Sequence, residues 1–133
     1  MLKASELRIG NWIADRGLKE WQIDHWETMN KVSAKPNTMM CSGVLMETHP
    51  LTEYVDYLKP IELRENLLLK FGFKQSGNQF YIGNGHIIIS WFKSNNEVGL
   101  DIEGQYLMLK CKYIHQLQNL YFALAGEELV LQD

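Results

Sequence analysis

The chain has 133 residues, of which 46% are hydrophobic and 22% charged, and its formal net charge is −3. This composition predicts a folded globular protein, either one domain or two small subdomains, and excludes wholesale disorder. It gives little support to generic nucleic-acid binding, because proteins that grip the phosphate backbone concentrate Lys and Arg.

A β-rich unit is predicted for residues 1–59. The predicted strands cover residues 7–13, 18–26, 39–47 and 53–58. A short turn containing Gly17 joins the first two into a hairpin, and Gly10 inside the first strand suits a sharp bend. Residues 30–37, which include Pro36, are predicted to form a loop. A bent first strand followed by short strands is compatible with an SH3-like barrel.

An α+β unit is predicted for residues 60–133, and we expect it to pack with the first unit as one compact body. Leu63, Leu67, Leu68 and Phe71 mark one face of a first helix that ends at Gly72. The predicted strands of an antiparallel β-meander cover residues 79–82, 86–92, 98–102 and 106–110, with an Asn-Gly turn at 84–85 and a last short strand at 128–131.

A second helix is predicted over residues 113–126, and this segment contains no Asp, Glu, Lys or Arg. Its apolar face is formed by Tyr113, Leu117, Leu120, Tyr121 and Leu124. The opposite face carries His115, Gln118, Asn119 and Phe122 where a solvated helix would carry charges. Interface cores are depleted in charge and enriched in aromatic residues, so these four residues are the predicted partner-binding site. Burial within the chain, or a homodimer through this helix, would produce the same pattern.

Two single thiols, Cys41 and Cys111, stand in no paired motif, which favours a reducing compartment over a disulfide framework. The first residues lack the apolar core of a signal peptide, and no apolar run approaches the roughly 20 residues needed to span a bilayer. The sequence therefore predicts a cytoplasmic protein without membrane contact.

Catalytic and metal-binding motifs are not recognisable. The histidines His25, His49, His86 and His115 lie in different segments, and no HExxH, CxxC, nucleophile elbow or phosphate-binding loop occurs. Asp24 and His25 are neighbours on a predicted strand, so their side chains face opposite ways. The sequence predicts no enzyme, no metal site and no cofactor; a hydrolytic enzyme with an unrecognised site is one alternative.

Three segments occur together in this chain: residues 5–13 (SELRIGNWI), residues 59–63 (KPIEL) with 68–73 (LLKFGF), and residues 112–129 (KYIHQLQNLYFALAGEEL). In that order they resemble a family of small uncharacterised proteins encoded in bacterial prophages and mobile elements. The chain departs from the family in the central segment, because the family has Pro, Thr and an acidic pair after the Pro-Ile, and Glu62 and Arg64 stand in those places here. The resemblance implies a phage-like genetic setting and brings no activity, fold or site residues with it.

These observations predict a non-enzymatic protein-binding accessory protein of phage or mobile-element origin, whose partner is a host or phage protein. An inhibitor of a host defence complex such as an RNA-guided nuclease, in the manner of anti-CRISPR proteins, is one such role. The other alternative is a small nucleic-acid-binding module of a phage. In that case exposed aromatics would stack on bases, the candidates being Trp12, Trp21, Trp26, Tyr81 and Trp91.

Overall fold

The computed structural model describes residues 2–28, 31–36, 51–83 and 86–132. The chain divides into two compact units, Met1–Ile61 and Glu62–Asp133, and the division falls two residues after the predicted boundary. Each unit contains one antiparallel sheet. The described residues contain two α-helices, and both belong to the second unit. The predicted α+β class is confirmed.

The N-terminal sheet has four antiparallel strands in the order β1-β2-β3-β4. These are β1 (Trp12–Ala14), β2 (Glu20–Thr28), β3 (Lys31–Pro36) and β4 (Leu51–Tyr54), with 3₁₀ helices at Ala4–Glu6 and Val55–Tyr57. The Asp15 carboxylate organises the β1–β2 turn, because it accepts hydrogen bonds from the Gly17 and Lys19 amides (2.9 and 3.0 Å) and from Trp21 Nε1 (3.0 Å). The predicted first hairpin is present, although β1 is shorter than expected.

The SH3-like barrel expected from the sequence is not closed. Within the described residues, β1 and β4 form the two ends of the sheet and do not pair with each other. The outer edge of β1 makes only an isolated bridge, in which Ala14 and Lys59 exchange hydrogen bonds of 2.8 and 2.7 Å. A buried cluster that includes Ile13, Ile23 and Val32 nevertheless gives this unit its own core.

Two other expectations for this unit are corrected. Residues 30–37 were expected to form a loop, but β3 runs through 31–36 and pairs with both β2 and β4. Pro36 is the last residue of β3, a position where a strand tolerates proline because the ladder ends there. The predicted strand at 53–58 is β4 only as far as Tyr54 and then a 3₁₀ helix. The predicted strand at 39–47 lies outside the described residues.

The C-terminal sheet is a five-stranded antiparallel meander in the order β5-β6-β7-β8-β9. Its strands are β5 (Lys74–Ser76), β6 (Gln79–Gly83), β7 (Ile87–Phe92), β8 (Glu97–Ile102) and β9 (Gln105–Lys110), and its helices are α1 (Glu65–Lys70) and α2 (Ile114–Ala125). The predicted meander with two helices is confirmed, and β5 is an additional strand. Segment 128–131 was expected to be a strand but has no strand partner in the described chain, and the Asn-Gly turn at 84–85 lies outside that part.

We call the side of this sheet that carries Phe80, Ile89 and Leu100 the inner face. These side chains are buried, as are Trp91 and Val98 on the same face. The helices α1 and α2 contact β6 and β7 and bury their own apolar side chains, among them Leu68 and Leu117. Leu129 and Leu131 complete this core from an irregular segment, which is held to the end of α1 by the bond from Gln132 N to Lys70 O (2.6 Å).

Candidate interaction surface

The four residues predicted to bind a partner on α2 do not form one exposed surface. His115 and Gln118 are 1% and 0% exposed, Asn119 is half-buried, and only Phe122 is well exposed at 41%. The buried arc of α2 consists of Ile114, His115, Leu117 and Gln118, which is one helical face, whereas Leu120, Tyr121 and Leu124 are only half-buried. The expectation that His115 and Gln118 share an accessible face is therefore wrong. A binding role for Asn119 and Phe122 stays a prediction.

The two ends of α2 explain why this uncharged segment is a stable helix. The Gln116 side-chain oxygen accepts hydrogen bonds from the Lys112 and Tyr113 amides (3.1 and 3.2 Å), so it supports the first turn. Gly126 ends the helix in the left-handed conformation (φ 72°), as the sequence predicts. Gln116 thus has a role in the fold.

Exposed apolar side chains also lie on the side of the C-terminal sheet opposite to the inner face, which we call the outer face, where they alternate with polar residues such as Glu97 and Asp101. Ile88, Tyr106 and Met108 on this side are 38%, 60% and 39% exposed, and Tyr81 and Phe92 beside them are half-buried. Sequence reasoning did not assign this surface. A signal was present, because Ile87-Ile88-Ile89 and residues 106–109 are continuous apolar runs, which are typical of strands covered on both faces.

Two glycines let outer-face side chains lie close to the sheet. A Cβ atom at Gly99 would lie 2.5 Å from Tyr106 Oη and 3.1 Å from Phe92 Cε2, so both rings reach over this position. A Cβ atom at Gly83 would lie 2.9 Å from Ile88 Cγ1 and from the Ile87 carbonyl oxygen. Because glycine leaves this room, the outer face is a low apolar surface with aromatic rings lying over it. A shallow cavity of about 280 Å³ next to it is lined by Gly72, Lys74, Tyr81, Ile82, Gly83 and Ile88.

Strand β9 is at the end of the meander and is exposed on both sides. Tyr106 and Met108 belong to the outer face, while Leu107 points to the inner side and is nevertheless 55% exposed. Within the described residues β9 pairs with β8 alone. No charged residue occurs from Gln105 to Leu109, so this edge lacks the charges with which many proteins protect an open strand.

The tryptophans proposed as base-stacking residues do not form an exposed platform. Trp12, Trp21 and Trp91 are buried, and Trp26 packs against the N-terminal core. Tyr81 is the one member of that set on the outer face. On the outer face, aromatic rings accessible to a ligand are supplied by Tyr106 and, in part, by Tyr81 and Phe92.

Among the described residues, no group of three or more His, Cys, Asp or Glu side chains is placed to hold a metal ion. Burial raises the pKa of the Cys111 thiol to about 11, so this side chain is protonated and a poor nucleophile at neutral pH. His86 is exposed and lies 3.8 Å from the Glu103 carboxylate, whereas His115 is buried. The cavity beside the outer face contains only Lys74 and Tyr81 as titratable groups.

Comparisons with known proteins give no assignment. No family model matches the chain, and no curated protein or solved structure is significantly similar to it. In the described part of the chain, neither helix has the length and apolarity required to cross a membrane.

Proposed function

We propose that this chain is a non-enzymatic binding protein that recognises another protein through the outer face of its C-terminal sheet. The observation that carries the proposal is the exposed apolar surface formed by Ile88, Tyr106 and Met108. An open face of an antiparallel sheet is normally polar, and apolar and aromatic side chains exposed on such a face, here on both sides of Asp101, mark a candidate interaction site.

The chemistry of this surface favours a protein over a nucleic acid. Cations on the same side of the sheet, such as Lys74 and Lys110, are accompanied by the carboxylates Glu97 and Asp101, so the face has no basic excess to neutralise phosphates. Aromatic and Met side chains around small residues are the composition of interface cores. The partner recognised here has a complementary apolar surface that covers Ile88 and the Tyr106 ring.

The setting of the interaction rests on the resemblance described above. A phage-like origin supports a host or phage protein in the cytoplasm as the partner, and host defence complexes such as RNA-guided nucleases are the first class to test. The mechanism is steric, because a protein of this size seated on a partner covers part of the partner's working surface.

A matched pair of variants tests the surface. Ile88→Lys places a cation in the outer face, and the fold tolerates it because Ile88 is opposite Asp101 on β8. Leu69→Lys is the control, because Leu69 is similarly exposed (46%) on α1, and Glu65 one turn earlier favours a Lys at this position. Host lysate is passed over wild type and both variants, with and without nuclease treatment.

We expect the wild type and Leu69→Lys to retain one protein species after nuclease treatment and Ile88→Lys to lose at least about 90% of it, equivalent to about 1.4 kcal/mol of binding free energy. Equal retention by all three proteins would refute the outer face as the site. Loss of all captured material on nuclease treatment would favour the nucleic-acid alternative. Thermal melting of each variant establishes that it is folded.

A further inference from the structure

We infer that the open edge of β9 pairs with β9 of a second copy of this chain, so that the two C-terminal sheets join into one continuous antiparallel sheet. This inference goes beyond the proposed function, since it concerns backbone pairing along the edge of the sheet, although Tyr106 and Met108 at that edge also belong to the outer face. Three features of β9 lead to it: backbone groups that have no strand partner in the described residues, a self-complementary order of side chains, and a matched pair of charges.

The backbone groups that point outward from β9 follow from the hydrogen bonding of β8. Glu103 N donates to His86 O (2.9 Å) on the β7 side. Because amide directions alternate along an antiparallel strand, Ile102 bonds to the other side, where its register partner is Gln105. Gln105, Leu107 and Leu109 therefore use their amide and carbonyl groups toward β8. The corresponding groups of Tyr106, Met108 and Lys110 point to the open edge.

A two-fold axis restricts how two β9 strands can pair. In a continuous antiparallel sheet, residues that are opposite each other on neighbouring strands have their side chains on the same face. The two-fold axis must therefore pass between one residue of β9 and the same residue of the second copy. An axis at Leu107 places the Leu107 side chains of the two copies opposite each other. It also places each Tyr106 opposite the partner subunit's Met108, a favourable aromatic–sulfur pair. In this one register the most exposed apolar side chains of the strand, Tyr106, Leu107 and Met108, each gain an apolar neighbour from the second copy.

The same register brings opposite charges together. It places the partner's Lys110 opposite Gly104 and on the outer face. The Asp101 carboxylate is already held at this position, because Asp101 Oδ1 accepts a hydrogen bond from Gly104 N (3.0 Å). The ammonium group of the partner's Lys110 therefore reaches the Asp101 carboxylate, and the two-fold axis repeats this contact at the other end of the paired strands. The two Lys110 residues lie about 20 Å apart, at roughly 3.4 Å per residue, so they do not repel each other strongly.

This charge match and the two-fold order of the apolar side chains identify a second copy as the occupant of the edge. The contact is short, which predicts a dissociation constant of about 1–100 μM. We expect sedimentation analysis between about 1 and 500 μM to show a mass that rises from 15.5 kDa toward twice that value. A constant mass of 15.5 kDa over this range would overturn the inference.

Engineered cysteines test the register. Leu107→Cys places two thiols on the axis, where opposite residues have Cα atoms about 4.5 Å apart, within the range of a disulfide. Gln105→Cys is the control on the same side of the same strand, with its two thiols about 14 Å apart, beyond that range. Both cysteine variants also carry Cys41→Ser. The protein with Cys41→Ser alone measures the background of covalent dimers that form through Cys111.

Under mild oxidation we expect the Leu107→Cys protein to form covalent dimers at least about tenfold faster than the Gln105→Cys protein. Equal rates would contradict pairing through β9 centred on Leu107. The charge match has its own test: Asp101→Asn keeps an oxygen that can accept from Gly104 N but removes the carboxylate. It should weaken the dimer about three- to tenfold, while Glu127→Gln, an exposed charge removal after α2, leaves it unchanged.

These measurements are separable from the test of the proposed function. Ile88 is on β7, away from the β9 edge, so Ile88→Lys should abolish partner capture and, because its cation is opposite Asp101, should weaken the dimer no more than Asp101→Asn does. Loss of the dimer in Ile88→Lys would show that the edge and the outer face act as one surface, which contradicts the inference as stated.

Discussion

The inner and outer faces of the C-terminal sheet are built from the same strands and similar side chains, yet only one face is a core. On β7, Ile89 and Trp91 are buried, while Ile88, which precedes Ile89 and points to the opposite face, is 38% exposed. The helices α1 and α2 bring apolar side chains to the sheet, and these cover its inner face. The difference therefore arises from the elements that pack on each side and not from the hydrophobicity of the strand.

The two faces also use glycine and aromatic residues differently. On the inner face, the Phe80 and Trp91 rings pack against each other with centroids 5.5 Å apart. On the outer face, the Phe92 and Tyr106 rings lie over Gly99, where they cover backbone in place of a second layer of side chains. An aromatic ring over glycine shields the sheet and leaves the ring accessible to a partner. The following predictions test this contrast.

The largest expected difference is between two phenylalanines. Phe80→Ala removes a buried inner-face ring and should lower the free energy of unfolding by about 3–5 kcal/mol, because it leaves a cavity in the core. Phe92→Ala, on the outer face, should cost only about 1 kcal/mol, since this ring is half-buried. Urea denaturation of both variants measures the two losses. Similar losses would show that the outer face is as much a structural core as the inner face.

A smaller effect concerns Cys111, which directly follows β9 and is buried. Burial raises its pKa to about 11 from an ordinary value of 9.0, so the folded state favours the neutral thiol. Below pH 9 the thiol is protonated in both states and the shift has no effect on stability. Between pH 9 and 11 the thiol ionises in the unfolded chain alone, which should lower the free energy of unfolding by about 2–3 kcal/mol in total.

Cys111→Ala provides the control for this pH dependence, because other groups also titrate in that range. Unfolding free energies of wild type and variant are compared at pH 8, 9, 10 and 11, and the difference between the two curves isolates the thiol. We expect the wild type to lose stability more steeply as the pH rises. If the two curves were parallel, the thiol would have the same pKa in the folded and unfolded states. The thiol would then be as accessible as the outer-face side chains.

The smallest effect on stability is expected at Gly99. Gly99→Ala displaces the far end of the Tyr106 side chain, which is exposed and can move, so the loss should be below about 1 kcal/mol. The displaced ring should nevertheless weaken partner capture severalfold. Gly83→Ala is the contrasting variant, because the added Cβ would meet the Ile87 carbonyl oxygen, which cannot move freely. We expect it to cost about 1–3 kcal/mol. The opposite order in thermal melting would contradict this account of the outer face.

The sequence predicted those elements whose information is local. The helix at 113–126 has an apolar period and a glycine that ends it, and α2 occupies Ile114–Ala125. The meander follows from alternating strands between turn residues, and β6 to β9 lie where they were predicted. At 128–131 the same kind of alternation was misleading. Leu129 and Leu131 both enter the core, but alternation determines which side chains point inward and does not supply a neighbouring strand.

The candidate site was harder to predict because it depends on what covers each face. His115 and Gln118 are polar and were expected at a surface, yet both lie in the buried arc of α2. Ile88 and Met108 are apolar and would be expected in a core, yet both are exposed. The continuous apolar runs in β7 and β9 predict that both faces of the sheet are covered. They do not tell whether the cover comes from the same chain or from a partner.

The segment that follows α2 also determines when the C-terminal unit can fold during synthesis. Leu129 and Leu131 fill its core, and the Gln132 amide is bonded to Lys70 at the end of α1. These residues come after every strand and helix of the unit in the chain. On the ribosome, the N-terminal unit can therefore fold first, whereas the meander keeps an incomplete core until residues 129–132 have left the exit tunnel. During that interval the apolar strands of the meander are the part of the nascent chain that chaperones would bind.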